Sequence, residues 1–171
     1  MTTPAFVREL RRSIGHSPLW LSGITAYVRD DEGRVLLGRR ADTGEWALVY
    51  GIIEPGEQPA DTVFREVREE TGVDVEVVAL VAVSSSSRLV TYPNGDQARY
   101  LNVSFLCRPR LGGNNRPSVS DDENLEVGWF RQDSLPNPLA GSTARRMREV
   151  EDWLDRAEGP DHDARTLFSA H

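Results

Sequence analysis

Three glutamates stand close together near the middle of the chain: Glu66, Glu69 and Glu70. Glu69 lies three positions after Glu66, and Glu70 follows it directly. On a helix, residues three and four positions apart are surface neighbours, so these carboxylates gather on one side. Each close pair of like charges costs a helix about 0.2–0.5 kcal/mol, and the dipole near the last turn also disfavours negative charge. A bound cation is the simplest compensation for this placement.

The types of residue nearby indicate which cation would suit the cluster. No cysteine or histidine stands near the glutamates, and oxygen ligands suit a hard ion, Mg²⁺ or Mn²⁺, rather than zinc. Such ions act on phosphate esters and anhydrides by neutralising non-bridging oxygens and lowering the pKa of a bound water. A glycine-bearing loop at 51–58 can bring backbone close to ion and phosphate. The alternative is a solvated acidic face paired with Arg65 and Arg68.

The helix that would carry the glutamates has recognisable ends. Pro59 suits the first helical position, where its missing N–H costs nothing, and Gly72 suits the left-handed position just past the end. The apolar residues between them recur three and four positions apart and form one face: Val63, Phe64 and Val67. The sequence therefore predicts a helix over residues 59–71.

The rest of the chain alternates between strand-like and helix-like patterns. Strands are predicted over residues 19–29, 34–39, 46–50, 75–85, 99–108 and 125–130. Helices are predicted over 4–14, with Phe6, Val7, Leu10 and Ile14 on one side, and over 143–156, with Met147, Val150, Trp153 and Leu154 buried. Core positions are predicted for Trp20, Trp46, Trp129 and Cys107. Strands interleaved with helices indicate an α/β or α+β sandwich.

Composition limits the class of protein and its surroundings. The 171 residues, 39% hydrophobic and 27% charged, are typical of one globular domain. A net charge of −7 argues against a nucleic acid polymer or an anionic membrane as partner. The N-terminus lacks the apolar run of a secretory signal, and no segment is apolar enough to span a bilayer. A single cysteine, Cys107, permits no internal disulfide, so a cytoplasmic location is expected.

Residues 51–73 resemble the signature of the Nudix hydrolase superfamily. That signature reads Gly, five residues, Glu, seven residues, Arg-Glu, an aliphatic residue, any residue, Glu-Glu, any residue, Gly and an aliphatic residue. The matching positions are Gly51, Glu57, Arg65, Glu66, Val67, Glu69, Glu70, Gly72 and Val73. From average residue frequencies, a chance match at a given start is on the order of 10⁻⁹. A looser pattern of strands and a final helix extends the resemblance over about residues 19–154.

The resemblance implies a fold and a division of the chain. The expected fold is an α/β/α sandwich around a mixed β-sheet, with the signature forming a loop, a helix and a loop. The expected segments are an N-terminal helical extension (residues 1–18), a Nudix hydrolase domain (19–157) and a disordered tail (158–171). Many relatives form dimers, so a homodimer is a possible assembly, with the N-terminal helix as a contact.

The resemblance also implies a metal centre of two or three Mg²⁺ or Mn²⁺ ions. Its ligands would be Glu66, Glu69 and Glu70, together with the backbone carbonyl of Tyr50. Many relatives carry Pro-Gly where this chain has Val49-Tyr50. The Tyr50 side chain could therefore narrow the metal loop or stack on a base, or it could be a packed aromatic.

The resemblance implies catalytic roles for several residues of this chain and leaves alternatives open for some of them. Arg65 would orient the glutamates by pairing with Glu57. The general base has no fixed position in the family, and the candidates are Glu57 and a glutamate before the last strand, Glu123 or Glu126. Glu69 is counted among the catalytic residues as well as the metal ligands. Phosphate would be bound by the backbone at Gly51 and by Arg39 or Arg40 as charge-assisted donors, with surface salt bridging as the alternative for the arginines.

The implied reaction is attack of water on phosphorus in a nucleoside diphosphate linked to another group, X. The expected substrate is a small nucleotide, either an NTP or dNTP or a nucleotide sugar such as ADP-ribose, and residues 84–99 are the predicted specificity element. A nucleotide-sensing domain that binds without turnover is the alternative, although all four signature glutamates are intact. A prenyl diphosphate isomerase would need metal-binding histidines and a positioned cysteine, and this chain offers only Cys107.

Overall fold

The structure is a computed structural model that describes residues 3–168, without the side chain of Phe168. Its helices are α1 (Ala5–Ile14), α2 (Pro59–Thr71) and α3 (Gly141–Glu158), and a short 3₁₀-helix spans Gln132–Ser134. Its strands are β1 (Leu19–Val28), β2 (Val35–Arg40), β3 (Trp46–Ala47), β4 (Val49–Ile52), β5 (Val75–Ser85), β6 (Val90–Thr91), β7 (Gln97–Pro109), β8 (Asn124–Phe130) and β9 (Leu167–Phe168). None of these helices has the length and apolar character needed to cross a membrane.

The strands form two sheets. The larger follows the order β4-β1-β7-β5-β9, with β6 paired to the start of β7, and the smaller follows β3-β2-β8. The larger sheet is mixed, because β1 and β7 are parallel, as are β5 and β9, whereas β4 and β5 run antiparallel to their main partners. The predicted α/β architecture with a mixed sheet is confirmed.

The two faces of β1 bury against different helices. Its residues Ile24, Ala26 and Val28 pack with the α2 residues Val63 and Val67. The opposite face of β1 contacts a second apolar cluster, which includes residues of α3 and of the smaller sheet. Because both faces of β1 are covered there, residues 23–28 are buried in an unbroken run rather than in alternation. This central position fixes the strand next to it, β4, which carries the signature glycine.

The core prediction holds for Cys107 and Trp46, which are buried, and Trp129 is half-buried. For Trp20 it is wrong, since that side chain is 59% exposed. Trp20 lies on the face of β1 that α2 covers, but the cluster beneath α2 begins only at Ile24.

The N-terminal helix docks through only part of its apolar face. In α1, Val7 is buried and Phe6 packs with it in a cluster at the start of the larger sheet. Leu10 and Ile14, predicted on the same side, are 42% and 38% exposed. The apolar contacts that hold α1 to the sheet therefore come from its first half, and Leu10 and Ile14 stay partly open to solvent.

The residues that follow α3 make contacts with that helix and with the larger sheet. After α3, strand β9 pairs in parallel with β5. The indole nitrogen of Trp153 donates to the carbonyl of Arg165 (3.2 Å), and the hydroxyl of Thr166 donates to that of Leu80 (3.1 Å). Residues 158–168, which belong to the segment expected to be a disordered tail, thus make contacts with α3 and β5. The other three residues of that tail lie outside the described part of the chain, as do the first two of the N-terminal extension.

Candidate active site

The signature glycine lies directly against the first glutamate of the cluster. A Cβ atom built on Gly51 would lie 2.3 Å from Cγ of Glu66 and 2.6 Å from its Oε1. Any side chain at this position would occupy the space of the carboxylate. The close approach of β4 to α2 therefore requires glycine here.

Arg65 links the loop before α2 to two of its glutamates. It donates to both carboxylate oxygens of Glu57 (2.7 and 3.0 Å), to Glu66 (2.9 Å) and to Glu69 (3.3 Å). The pairing of Arg65 with Glu57 that the resemblance implied is present. Glu57 also accepts from the backbone N–H of Glu54 (3.0 Å) and the hydroxyl of Thr62 (2.8 Å). These donors, Arg65 first, lower the pKa of Glu57 to about 2, so it is a weak proton acceptor.

Glu66 and Glu70 are the largely buried carboxylates of the cluster. Burial raises the pKa of Glu66 to about 7, partly offset by Arg65, and raises the pKa of Glu70 to about 8. The nearby carboxylate of Glu123 adds to both shifts. Ionising both groups at neutral pH therefore calls for more positive charge than Arg65 supplies.

A hydrogen bond from Asn124 orients the Glu70 carboxylate. The side-chain amide of Asn124 donates to Oε2 of Glu70 over 3.2 Å. Asn124 opens β8 beside an irregularity in the pairing of β2 with β8, and its side chain fits against Gly38, where a Cβ would lie 2.3 Å from its Oδ1. Sequence reasoning missed Asn124, because nothing local connects it to a partner 54 residues away.

The long loop before β8 is tied to the end of α2. The backbone N–H of Ser118 donates to the carbonyl of Thr71 (2.9 Å), and the side-chain amide of Asn114 donates to the carbonyl of Gly72 (2.7 Å). These bonds hold the loop over the last turn of the helix. Glu123, at the end of that loop, is thereby brought beside the buried glutamates.

A recess of about 10 Å³ lies beside Glu70, close to the least volume that holds one water or ion. Its lining residues are Arg40, Ala47, Leu48, Tyr50, Glu70, Glu123 and Asn124. Buried carboxylate oxygens short of positive charge fit a hard divalent cation. Among residues 3–168, however, no three acidic, cysteine or histidine side chains converge around one point. The predicted trio is not gathered there, since Glu69 is 57% exposed.

The side chain of Tyr50 packs against α3. Its hydroxyl lies 2.9 Å from that of Thr143, and the guanidinium of Arg146 lies 5.6 Å from the ring centroid. The structure thus shows the packed-aromatic alternative for this side chain. Tyr50 still borders the recess, as the proposed carbonyl ligand requires.

The two candidate arginines of β2 lie in different surroundings. Arg39 donates to the carbonyl of Gly44 (3.2 Å) and to Glu126 (3.4 Å), and neither Arg39 nor Glu126 lines the recess or the cleft described next. Arg40 binds Asp42 through two nitrogens (2.9 and 2.5 Å) and borders the recess. Of the two, Arg40 is the one beside the glutamates.

A cleft of about 610 Å³ opens beside Glu66, and its volume is within the range that encloses small-molecule ligands. Its lining residues are Thr3, Pro4, Ala5, Arg8, Ile52, Glu54, Arg65, Glu66, Arg68, Glu69, Ser120, Asp121 and Glu123. The N-terminal segment thus forms one wall, which the sequence did not indicate. The segment 84–99, predicted to set specificity, contributes no residue to this lining.

Known proteins match this chain over most of its length. The family profile described as NUDIX domain matches residues 20–154. A MutT-like protein of Streptomyces ambofaciens is 36% identical over 156 residues, which cover 90% of each chain. The 8-oxo-dGDP phosphatase NUDT18 of Mus musculus is 31% identical over 150 residues, covering 86% of this chain and 42% of that protein. The crystal structure of a MutT NUDIX hydrolase from Burkholderia pseudomallei has a TM-score of 0.63 and 28% identity, covering 77% of this chain and 98% of that one.

Proposed function

The chain belongs to the Nudix hydrolase superfamily and is an enzyme that hydrolyses phosphoric anhydrides, and we propose that it uses Mg²⁺ or Mn²⁺ to cleave a nucleoside di- or triphosphate. The observation that carries the proposal is a pair of largely buried carboxylates: Glu66, which lines a cleft of nucleotide size, and Glu70, which lines the recess. These residues, with the Tyr50 carbonyl, would hold the metal. When bound, the ion neutralises phosphate oxygens and acidifies a water.

The neighbouring residues take positioning roles in this proposal. Arg65 holds the carboxylate of Glu66 in place, and Glu57 holds Arg65 through both of its oxygens. Because four donors already occupy Glu57, we assign it to positioning rather than to proton transfer. Gly51 lets β4 approach the helix, and Arg40 stands beside Glu70 as a donor for a phosphate oxygen.

Glu123 is our candidate for the general base. It borders both the cleft and the recess, so it lies between the buried glutamates and the space open to substrate. A base must reach the attacking water in that space. Glu69 also lines the cleft, but its carboxylate is held by Arg65 and is largely exposed.

The choice of a nucleoside phosphate as substrate is supported by the relatives. The name of the mouse relative identifies it as an 8-oxo-dGDP phosphatase, and a MutT-like protein matches nearly the whole chain. We therefore place purine nucleoside di- and triphosphates, including oxidised ones, ahead of nucleotide sugars such as ADP-ribose.

The proposal is tested by incubating the protein, with Mg²⁺ or with EDTA, against nucleoside di- and triphosphates, their 8-oxo forms and nucleotide sugars. Hydrolysis that needs metal and is lost in Glu70→Gln is the expected result. Glu123→Gln should lower kcat by about 10²–10⁴, the usual contribution of a general base. Glu126→Gln, which alters a glutamate outside the cleft, should leave kcat unchanged and serves as the matched control. Tight nucleotide binding without any turnover would instead support a sensing domain.

A further inference from the structure

The helix α1 lies outside the residues that match the family, 20–154, yet its first turn forms a wall of the cleft. Arg11 fixes its other end. The guanidinium donates to the carbonyls of Gly15 (3.0 Å), Ser17 (2.6 Å) and Gln97 (2.7 Å) and lies 3.3 Å from Asp96. Together with the burial of Val7, these contacts anchor α1 to β7 and its hairpin, so the first turn is held in place at the cleft.

The acidic and basic side chains that line the cleft are unequal in number. Five of its side chains are acidic, namely Glu54, Glu66, Glu69, Asp121 and Glu123, and three are arginines. Arg65 is shared among Glu57, Glu66 and Glu69. Arg68 is 76% exposed and lies 3.9 Å from Asp74.

Arg8 differs from the other two arginines of the cleft. Within residues 3–168, its side chain makes a hydrogen bond to the carbonyl of Thr3 (2.5 Å) and no ion pair with a carboxylate. A guanidinium has five N–H donors, so Arg8 keeps most of its donors for a ligand. It lines the same cleft as the α2 glutamates Glu66 and Glu69.

We propose that Arg8 is a phosphate-binding residue that selects nucleotides carrying a terminal phosphate over those ending in a neutral sugar. This inference rests on the proposed function. Metal ions on Glu66 and Glu70 would neutralise the phosphates at the cleaved linkage, and a further phosphate would lie in an otherwise acidic cleft. Such a phosphate needs a cation of its own, and a bond from Arg8 would be charge-assisted. A neutral sugar at the same place would gain little from it.

The test compares Arg8→Gln with Arg12→Gln, which removes an exposed arginine of the same helix that does not line the cleft. Steady-state kinetics are measured for nucleoside triphosphates and nucleotide sugars. We expect Arg8→Gln to raise KM for triphosphates by about tenfold, the loss of one charge-assisted bond, with kcat and the KM for sugars unchanged. Arg12→Gln should match the wild type, and Arg8→Lys should restore part of the affinity.

The same proteins are titrated calorimetrically with a non-hydrolysable triphosphate analogue and Mg²⁺, which measures the role of Arg8 without turnover. Equal behaviour of the two glutamine variants would overturn the assignment of Arg8 and leave the hydrolase proposal standing. An equal rise in KM for sugars and triphosphates would overturn the selection of a terminal phosphate, as would a wild type that binds only sugars. A wild type without any hydrolysis would refute the proposed function, while a weaker titration in Arg8→Gln alone would still support the phosphate site.

Discussion

Replacing Gly38 by alanine should weaken metal binding although Gly38 is not a ligand. The new Cβ would lie 2.3 Å from Oδ1 and 2.9 Å from Cγ of Asn124. Asn124 is 6% exposed, so its amide cannot move freely into solvent and must turn or shift within the core. The bond from its amide to Glu70, 3.2 Å long, would be lost.

The size of the effect follows from the kind of bond that is lost. A hydrogen bond to a charged group contributes about 1.5–3 kcal/mol. Removing a partner that orients a metal ligand typically costs about 10–100-fold in metal affinity. We therefore expect Gly38→Ala and Asn124→Ala to weaken Mn²⁺ binding by similar factors within that range.

Mn²⁺ titration followed by electron paramagnetic resonance measures this affinity, and thermal unfolding in EDTA checks that each variant folds. In the Asn124→Ala background the methyl group of Gly38→Ala has room, so the second substitution should cost little more. Gly141→Ala, where a Cβ would meet no atom within 4 Å, is the control for a glycine replacement. Wild-type affinity in a folded Gly38→Ala protein, or fully additive effects in the double variant, would refute this reasoning.

Three further outcomes test other parts of the structure. Glu57→Gln should lower the stability by about 1–3 kcal/mol, since it weakens charged hydrogen bonds to Arg65; urea unfolding measures this, and an unchanged midpoint would contradict it. The pKa of Glu70 is raised from an ordinary 4.5 to about 8 in the folded protein, so the unfolded chain loses the carboxyl proton at a lower pH. The metal-free protein should therefore lose stability as the pH rises from about 4.5 to about 8. Thermal unfolding in EDTA should therefore show a flatter pH dependence for Glu70→Gln, and parallel curves would count against the shift. Val7→Ala removes two buried carbon groups, so it should lower the stability by about 1.6 kcal/mol and also raise KM. Leu10→Ala, at a position of the same helix that is 42% exposed, should change both quantities less.

The sequence predicted what depends on local pattern. Pro59 and Gly72 mark the ends of α2 in the structure as they do in the sequence, and Gly72 adopts the left-handed conformation expected of it. The contact of Arg65 with Glu57 followed from family resemblance, because it lies within the signature itself. Such features are set by residues that are close together in the chain.

The features that escaped prediction depend on packing between distant segments. The exposure of Trp20 depends on where α2 begins to cover β1. The contact of Asn124 with Glu70 needs β8 to meet α2, and the place of Arg8 needs α1 to return to the cleft. The type of a residue and its spacing from its neighbours carry no information about such contacts between distant segments.

The pairing of β1 with β7 also bears on how the chain reaches its folded state. These neighbours in the middle of the larger sheet come from distant parts of the chain, with Leu19 opposite Ala98 and Val28 opposite Cys107. Closing a long loop is an entropic barrier that must be crossed before such a pairing gains any energy. The segment β4–α2 can rest on β1 early, but Glu123 and Asn124 join Glu70 only once the chain beyond β7 has returned. A metal ion would therefore stabilise the finished enzyme by slowing its unfolding, and it would do little to speed the search for the fold.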